Sequence, residues 1–396
     1  MPQPALAPRM NRSALEPDAS ARPVRVCFLI DELAAAGTET QLLALIRHLD
    51  RRRVRPYLCL LRGDNPVSQG LEPDGCPILR LGVRSLHQPR TFVRAWQFVR
   101  FLHRERIDVL QAYFPDSSYF GIPSAWLAGV KRRLRTRNNL GHALTPLHRR
   151  LGRMLNVLTT ATVANCEAAR QALLEAERPR PETVIVLENG VDLGRFRNIP
   201  LPSVRPMADP ARVGVVANLR PIKGLDVFVR AAALLRDEHP RAVFEVAGEG
   251  ELRRSLEQQA ESAGLGGRFR LHGGVDDMPG FLAGLDVAVL CSHAEGMSNA
   301  LLEYMAAGRP IVATAVGANP ALIEHEAHGL LVPPGDAVRL AKAIGRLLTD
   351  RGLARGLGES ARRRALERYG REAMVRRFED FYQGLVNGGF HPCPTS

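Results

Sequence analysis

Short apolar runs alternate with amphipathic helical segments through both halves of this chain. Residues 24–30 and 213–217 have the length and the branched, apolar composition of strands buried on both faces. Each is followed by a polar loop and then by a segment with its apolar residues on one helical face, at 39–49 and 225–235. Further strands are predicted at 54–61, 77–81, 107–112 and 132–136, and further helices at 91–104 and 117–129. This alternation predicts an α/β fold with parallel sheets.

The length of 396 residues is enough for two domains. The proline-rich stretch at 200–206 marks a linker between them. Thr38 is the predicted cap of the first helix. We predict a disordered tail over 1–22, an N-terminal domain over 23–198, a linker over 199–210, a C-terminal domain over 211–370, a helix over 371–388 and a tail over 389–396.

Two acidic residues, Glu295 and Glu303, follow the predicted strand at 285–291. Glu295 lies in the loop after the strand, and Glu303 lies one turn inside the helix that begins near Asn299. Ligands of open α/β sheets bind at this edge, and the N–H groups that open a helix attract phosphate. The pattern suits a nucleoside diphosphate sugar. The backbone amides would bind the diphosphate, and the two carboxylates would accept hydrogen bonds from pairs of hydroxyls on the ribose and on the sugar. The alternative is an ordinary solvated pair of acids.

A second loop at a strand end carries two cations, Arg220 and Lys223, between the strand at 213–217 and the helix at 225–235. Cations in this position can neutralise a diphosphate and stabilise it as it leaves. An exposed loop pair without a role is the alternative. The two motifs together, about 70 residues apart, are more specific than either one.

Several segments resemble the retaining glycosyltransferases of the GT-B fold, family 4. They are residues 220–224, 246–250, 286–296 and 303–314, with 189–192 and Phe196 at the domain junction. The resemblance runs from about residue 24 to 388 and is dense in the second half. It implies two Rossmann-like, doubly wound parallel-sheet domains that face each other across a cleft, with the helix at 371–388 crossing back to the first domain.

The resemblance also implies roles for the site residues. Glu295 is expected to contact the donor sugar, Glu303 the ribose diol, and Arg220 with Lys223 the two phosphates. The other expected donor contacts are Gly296, Met297, Ser298, Asn299, Val275, Gly37 and Asn138. Because the chain has no Asp-x-Asp sequence, we expect no metal and no cofactor, with the two cations in place of a divalent ion. The substrate is expected to be linked to UDP or GDP.

One position departs from the family pattern. Members often carry a histidine after the fifth strand of the first domain, and here Asn138 or Asn139 falls at that place, with His142 a few residues later. An asparagine can hydrogen-bond to a sugar hydroxyl but cannot carry positive charge. Which of the three side chains faces the donor sugar is left open. For His142 an ordinary loop position without a catalytic role is favoured.

The cysteines and termini bear on the compartment. Six scattered cysteines without Cys-x-x-Cys argue against zinc and a disulfide framework and fit a reducing cytoplasm. Residues 1–22 lack the apolar core of a signal peptide, and no stretch reaches the roughly 18 apolar residues of a membrane span. We therefore expect a cytoplasmic protein.

Positive charge is concentrated in the first half. Residues 1–200 hold 30 Lys and Arg against 18 Asp and Glu, whereas residues 201–396 hold 24 against 23. Apolar residues from 144 to 158 recur at helical spacing among arginines, which is typical of a helix on an anionic membrane. An ordinary core-facing helix is the alternative. We expect peripheral, salt-sensitive association with the inner membrane face, and a lipid-linked or oligosaccharide acceptor.

The sequence also bears on three other functions. A GT-B enzyme without a glycan acceptor, such as an epimerase that cleaves UDP-sugars, would release the nucleotide with no acceptor added. A non-catalytic binder of sugar nucleotides is disfavoured because both acids and both cations are present. Nucleic-acid binding is disfavoured because six Tyr and two Trp offer few stacking surfaces and no known motif occurs.

Overall fold

The computed structural model describes residues 22–63, 66–142, 144–201 and 210–388. Almost all of the two predicted tails and most of the predicted linker, 202–209, lie outside the described residues. The described chain forms two all-parallel sheets with helices on both faces, one in each half. The predicted α/β, doubly wound architecture is confirmed.

The first sheet has seven strands in the order β3-β2-β1-β4-β5-β6-β7. Its strands are β1 Val24–Ile30, β2 Val54–Leu60, β3 Ile78–Arg80, β4 Val109–Ala112, β5 Arg132–Arg137, β6 Ala161–Ala164 and β7 Val184–Val186. The helices that precede the second sheet are α1 Gly37–His48, α2 Pro66–Leu71, α3 Arg90–Arg104, α4 Pro115–Leu127, α5 Pro146–Leu155, α6 Glu167–Glu177 and α7 Leu193–Phe196. The strand order reverses between β1 and β4, which creates a crevice at their carboxyl ends.

The second sheet has six strands in the order β10-β9-β8-β11-β12-β13. Its strands are β8 Arg212–Val216, β9 Val243–Ala247, β10 Phe269–Gly273, β11 Val287–Leu290, β12 Ile311–Thr314 and β13 Leu330–Val332. The remaining helices are α8 Leu225–Leu235, α9 Arg253–Ser262, α10 Met278–Ala283, α11 Asn299–Ala306, α12 Asn319–Leu322, α13 Ala337–Thr349, α14 Arg351–Arg368 and α15 Arg371–Asn387. Here the order reverses between β8 and β11.

The central strands are apolar because helices cover both faces of each sheet. In β1, Phe28 and Ile30 face α1 and α15, whereas Cys27 and Leu29 face α3 and α4. The two faces therefore use alternate residues of the same strand, and the run reads as continuously apolar.

The chain crosses between the domains twice, and the two crossings touch. Val191 N–H donates to Tyr369 O at 2.8 Å, and Arg371 N–H donates to Val191 O at 2.9 Å. The Arg371 guanidinium also pairs with Asp192 at 2.9 Å. These bonds join the outgoing and returning chain at one junction.

The last helix, α15, packs on the N-terminal domain beside α1 and β1. Tyr382 donates from its buried hydroxyl to Gln111 Oε1 at 2.6 Å. Glu379, which is buried, accepts from Asp50 N–H at 2.6 Å and pairs with Arg53 at 2.8 Å. Polar contacts thus supplement the apolar face that attaches this helix.

Two local predictions differ from the structure. Thr38 does not cap α1: the cap position is Ala36, without a side-chain bond, and Thr38 lies inside the first turn. The apolar stripe at 144–158 is divided, because Leu155 is buried whereas Leu147 and Met154 are exposed. Neither the membrane-helix nor the core-helix interpretation describes α5 completely.

We predict that Glu379→Ala lowers the free energy of unfolding by about 2–3 kcal/mol, because it leaves Arg53 and the Asp50 N–H without their buried acceptor. Asp380→Ala removes the exposed partner of the same arginine and is expected to change stability by less than about 1 kcal/mol. Urea denaturation of both variants measures the difference. Equal effects of the two substitutions would contradict the proposed anchoring by Glu379.

Candidate functional site

Two loops flank the switch point of the second sheet. One follows β8 and includes the turn Pro221–Lys223, and the other follows β11 and leads into α11. The loops are tied together, since His293 N–H donates to Ile222 O at 2.8 Å and the Cys291 thiol donates to Lys223 O at 3.3 Å. Side chains from segments about 70 residues apart therefore meet at one edge of the sheet.

Two glycines allow close backbone approaches at this edge, one between these two loops and one between the β11 loop and the loop after β12. Gly224 has φ 62° and ends the Pro221–Lys223 turn, and a Cβ there would collide with Cys291 O. Gly317 has φ 55°, and a Cβ there would collide with Glu295 O. Any other residue would be strained in backbone and blocked in space at both positions.

Lys223 and Glu295 form an ion pair at the centre of the site. Lys223 Nζ lies 2.7 Å from Glu295 Oε1, and the Ser292 hydroxyl donates to the same oxygen at 2.6 Å. The Glu295 side chain is 10% exposed and that of Lys223 is 25% exposed. The pair is thus shielded but open on one side, and within the described chain Glu295 Oε2 accepts no hydrogen bond.

The Arg220 side chain is exposed and, among the described residues, forms neither a hydrogen bond nor an ion pair. Its charge nevertheless acts on Glu39 in the first turn of α1, in the other domain. Burial raises the pKa of Glu39, and Arg220 opposes this increase. The structure therefore places Arg220 at the cleft, facing the N-terminal domain, but it does not join Arg220 to Glu295 or Glu303.

Glu303 lies in α11 and is partly buried, and its carboxyl has no hydrogen-bond partner in the described chain. Burial raises the pKa of this carboxyl to about 7, and the positive charge of Arg195 partly opposes the shift. A carboxyl in such a place can accept hydrogen bonds from a ligand without breaking existing ones.

The segment from Gly296 to Asn299 forms the amino end of α11. The Ser298 hydroxyl accepts from Leu301 N–H at 3.3 Å and caps the helix. The backbone N–H groups of Gly296, Met297 and Ser298 have no acceptor among the described residues. Unpaired N–H groups at a helix N-terminus attract anions.

Three amide side chains, which we call the amide bridge, connect this segment to the N-terminal domain: Gln41, Asn189 and Asn299. Asn299 Oδ1 accepts from Gln41 Nε2 and from Asn189 Nδ2, each at 3.0 Å. Asn299 Nδ2 donates to Gly37 O at 3.0 Å. The amino ends of α1 and α11 are therefore held against each other across the cleft.

The remaining predicted residues lie around this contact. Asn138 donates to Thr38 Oγ1 at 3.4 Å, and its carbonyl oxygen abuts Gly296, where a Cβ would collide with it. Asn139 and His142 are exposed, and Asn139 accepts from Gly141 N–H. Of the three candidates for the sugar side, Asn138 is the one that lies against α11. Val275 lies after β10 and is partly buried against the core.

Sequence reasoning missed Ser292, Gln41 and Asn189. It placed Asn299 only as a source of backbone amide, not as the centre of the amide bridge. The signal available for Asn189 was its place at the start of the junction segment, whereas Gln41 lies on a helix face with nothing in its spacing to distinguish it. The structure also places Arg195 near Glu303.

Within the described residues, no group of three or more His, Cys, Asp or Glu side chains is arranged to hold a metal ion. Across the same part of the chain, no helix combines the length and apolarity that crossing a membrane requires.

Comparison with known proteins places this chain among glycosyltransferases. Residues 35–195 match Glycosyltransferase Family 4, and residues 210–350 match Glycosyl transferases group 1. Together the two matches span more than half of the chain. Both include the cleft-facing segments described above.

Similar curated proteins carry related names. The chain is 33% identical over 227 residues to a D-inositol 3-phosphate glycosyltransferase of Salinispora tropica, which covers 51% of this chain and 46% of that protein. It is 28% identical over 326 residues to a GDP-mannose-dependent alpha-(1-6)-phosphatidylinositol monomannoside mannosyltransferase of Mycobacterium tuberculosis, which covers 76% and 84%. The chain spans about half the length of the first curated relatives that it matches.

Among solved structures, Anabaena Alr3699/HepE in complex with UDP superposes with a TM-score of 0.80 at 21% identity. The superposition covers 91% of this chain and 100% of that one. This likeness confirms the GT-B fold that the sequence predicts.

We predict that the stability of the ligand-free protein falls as the pH rises from about 4.5 to about 7, in the range set by Glu303. Between these values the folded protein keeps the Glu303 proton that the unfolded chain releases, so the folded state binds more protons. Glu303→Gln removes this effect. We expect the free energy of unfolding of the Glu303→Gln variant to exceed that of the wild type by up to about 3 kcal/mol near pH 8. Below about pH 4.5 we expect the two proteins to be equally stable.

Urea titrations of both proteins at the two pH extremes measure this difference. The exposed Glu261→Gln on α9 is the matched control and is expected to follow the wild type. A constant difference at all pH values would show that Glu303 does not titrate in this range.

Proposed function

Because the chain belongs to the family 4, group 1 glycosyltransferases, we propose that it moves a sugar from a nucleoside diphosphate sugar to a glycan or lipid-linked acceptor. The observation that carries this proposal is the Lys223–Glu295 ion pair beside the unpaired N–H groups of Gly296, Met297 and Ser298. Positive charge and free N–H donors suit a diphosphate, while the open side of Glu295 suits a hydroxylated group.

The diphosphate lies, in this proposal, between the amino end of α11 and the two cations. Lys223 has three N–H donors, so it can keep Glu295 and still donate to a phosphate oxygen. Arg220 has no partner to give up within the described chain. Both cations stabilise the negative charge that develops as the diphosphate leaves, which makes a divalent metal unnecessary.

Glu295 positions the donor sugar. Its Oε1 is held by Lys223 and Ser292, which leaves Oε2 to accept from a sugar hydroxyl. We propose transfer with retention, in which the anomeric carbon–phosphate oxygen bond breaks and the acceptor oxygen bonds on the same face. The acceptor proton goes to the leaving phosphate. The protein then supplies position and positive charge rather than a covalent intermediate.

Glu303 holds the nucleoside. Its buried carboxyl, without a partner in the described chain, accepts from two ribose hydroxyls, and Val275 lies beside the base. A uridine or guanosine nucleotide is favoured, since one similar structure contains UDP and one relative is named as GDP-mannose-dependent. Asn138 contacts the sugar from the N-terminal domain.

The acceptor meets the N-terminal domain. Relatives are named for lipopolysaccharide core biosynthesis in Rhizobium meliloti and for a phosphatidylinositol mannoside acceptor, which supports a role in cell-surface polysaccharide assembly. We propose that the enzyme works at the cytoplasmic membrane face, to which its positive first half is attracted.

We predict a separation of roles between the two acids. Glu303→Gln should weaken binding of free UDP or GDP by about 10- to 100-fold, because hydrogen bonds to a charged acceptor are lost. Glu295→Gln should lower turnover by about 100-fold and change nucleotide affinity by less than about threefold. A thermal-shift screen of nucleotides and nucleotide sugars identifies the donor first, and calorimetry and turnover then follow.

Glu261→Gln is the control in both assays. Wild-type turnover in Glu295→Gln would refute its role. Nucleotide release without any added acceptor, with an epimerised sugar as the other product, would favour the epimerase-like alternative.

We also predict that Lys223→Met and Arg220→Met each lower turnover by about 100-fold or more, because less charge opposes the leaving diphosphate. Chelation by EDTA should leave the wild-type rate unchanged. Arg254→Met, on the exposed surface of α9, is the matched loss of one positive charge and should have no effect. A rate that disappears in EDTA and returns with Mg²⁺ or Mn²⁺ would overturn metal independence.

A further inference from the structure

Three helices, α3, α4 and α5, pack side by side on the outer face of the first sheet, and we call them the outer helical layer. Of the thirteen large hydrophobic side chains that are exposed in the described chain, eight lie on this layer or in the turn after α5. The chain has two tryptophans, and both are among them: Trp96 on α3 and Trp126 on α4. Exposed apolar surface is therefore concentrated on one side of one domain.

The most exposed group lies in the first two turns of α3. Phe92 is 83% exposed, Val93 60% and Trp96 62%. Their spacing of one and four positions puts them on one outer patch of the helix, opposite the buried Phe98 and Leu102. The inner face already fills the core, so packing within the domain does not explain why the outer face is aromatic. A contiguous patch of this kind marks an interaction surface.

The same layer is strongly positive, because α3, α4 and α5 together carry seven arginines and one acid, Asp116. Residues 81–166, which form α3 to α5 and the strands between them, contain 14 Lys and Arg against three Asp and Glu. The rest of the chain holds 40 against 38. Residues 81–104 contain five arginines and no acid, and Arg90, Arg94 and Arg100 are exposed around the aromatic patch.

A partner must match both properties. A second copy of this face would bring like charges together. A nucleic acid matches the charge but offers no apolar layer for an exposed phenylalanine and valine. An anionic bilayer offers both, because phosphate headgroups receive the arginines and the acyl boundary receives the rings.

We propose that the outer helical layer is the membrane-contact face of this protein and that Phe92, Val93 and Trp96 enter an anionic bilayer. The inference rests on the proposed function in one respect: a lipid-linked acceptor is the reason that the protein would need a membrane. Since α3 runs from the end of β3 back to the start of β4, its first turns lie toward the carboxyl edge of the sheet. This places the inserted patch on the side of the domain where the cleft opens.

Vesicle flotation tests the patch directly. The wild type should float with vesicles that contain phosphatidylglycerol and much less with pure phosphatidylcholine. Phe92→Ser combined with Trp96→Ser should weaken binding to the anionic vesicles by about tenfold or more. The control replaces two exposed leucines of the C-terminal domain, Leu234→Ser with Leu366→Ser, and should float like the wild type. Equal flotation of the patch variant and the wild type would overturn the proposal.

Tryptophan fluorescence supplies a second readout. Trp126→Phe leaves Trp96 as the single tryptophan. Its emission should shift to shorter wavelength with anionic vesicles and be quenched by brominated acyl chains. The patch does not insert if the emission wavelength stays unchanged with anionic vesicles. The same conclusion holds if the protein floats with the vesicles but brominated acyl chains do not quench its fluorescence.

Two further measurements separate this inference from others. If the patch variant converts a dimer to a monomer in light scattering, and neither protein floats, the surface is a self-association face and the proposal fails. Nucleotide affinity should be the same in wild type and patch variant. If no nucleotide binds but flotation depends on the patch, the proposed function fails and the membrane face stands.

Discussion

The Lys223–Glu295 ion pair is the interaction on which the candidate site depends. It joins two loops whose residues lie 72 positions apart, at the point where the strand order of the second sheet reverses. Gly224 lets the backbones of these two loops approach closely enough for the pair to form. Because the acid neutralises the cation while no anion is bound, the loops can hold positive charge at the cleft without mutual repulsion. In the proposed function, a diphosphate would add to an assembled arrangement instead of organising it.

The two acids differ in a way that their spacing does not reveal. Glu295 accepts from Lys223 and Ser292, whereas Glu303 has no hydrogen-bond partner in the described chain and its pKa is raised to about 7 by burial. A polar group left in this state destabilises the ligand-free protein. Such strain is expected where a ligand supplies the missing donors, and it distinguishes a binding carboxyl from a structural one.

Sequence reasoning predicted the strands well because strands of a parallel sheet are buried on both faces and read as apolar runs. It also identified the loops at the two strand ends. It could not predict the amide bridge, because Gln41 and Asn299 meet only after both domains have folded and faced each other. It was wrong about Thr38, since the cap of α1 depends on where the loop from β1 turns. Long-range contacts, rather than local propensity, decided each of these points.

The charge of the first half illustrates the same limit at a larger scale. Part of its excess lies on the outer helical layer, whereas the carboxyl edge of the first sheet carries acids: Asp31, Glu32 and Asp116 surround Arg62, and Glu39 lies nearby. The side of this domain that faces the cleft is therefore not the positive one. The net charge of residues 1–200 therefore gives the sign of the outer surface and not that of the cleft. In the proposed function, the reacting end of the acceptor would meet the acidic edge. Carboxylates favour groups that donate hydrogen bonds over anions, so this edge suits a hydroxyl better than a phosphate.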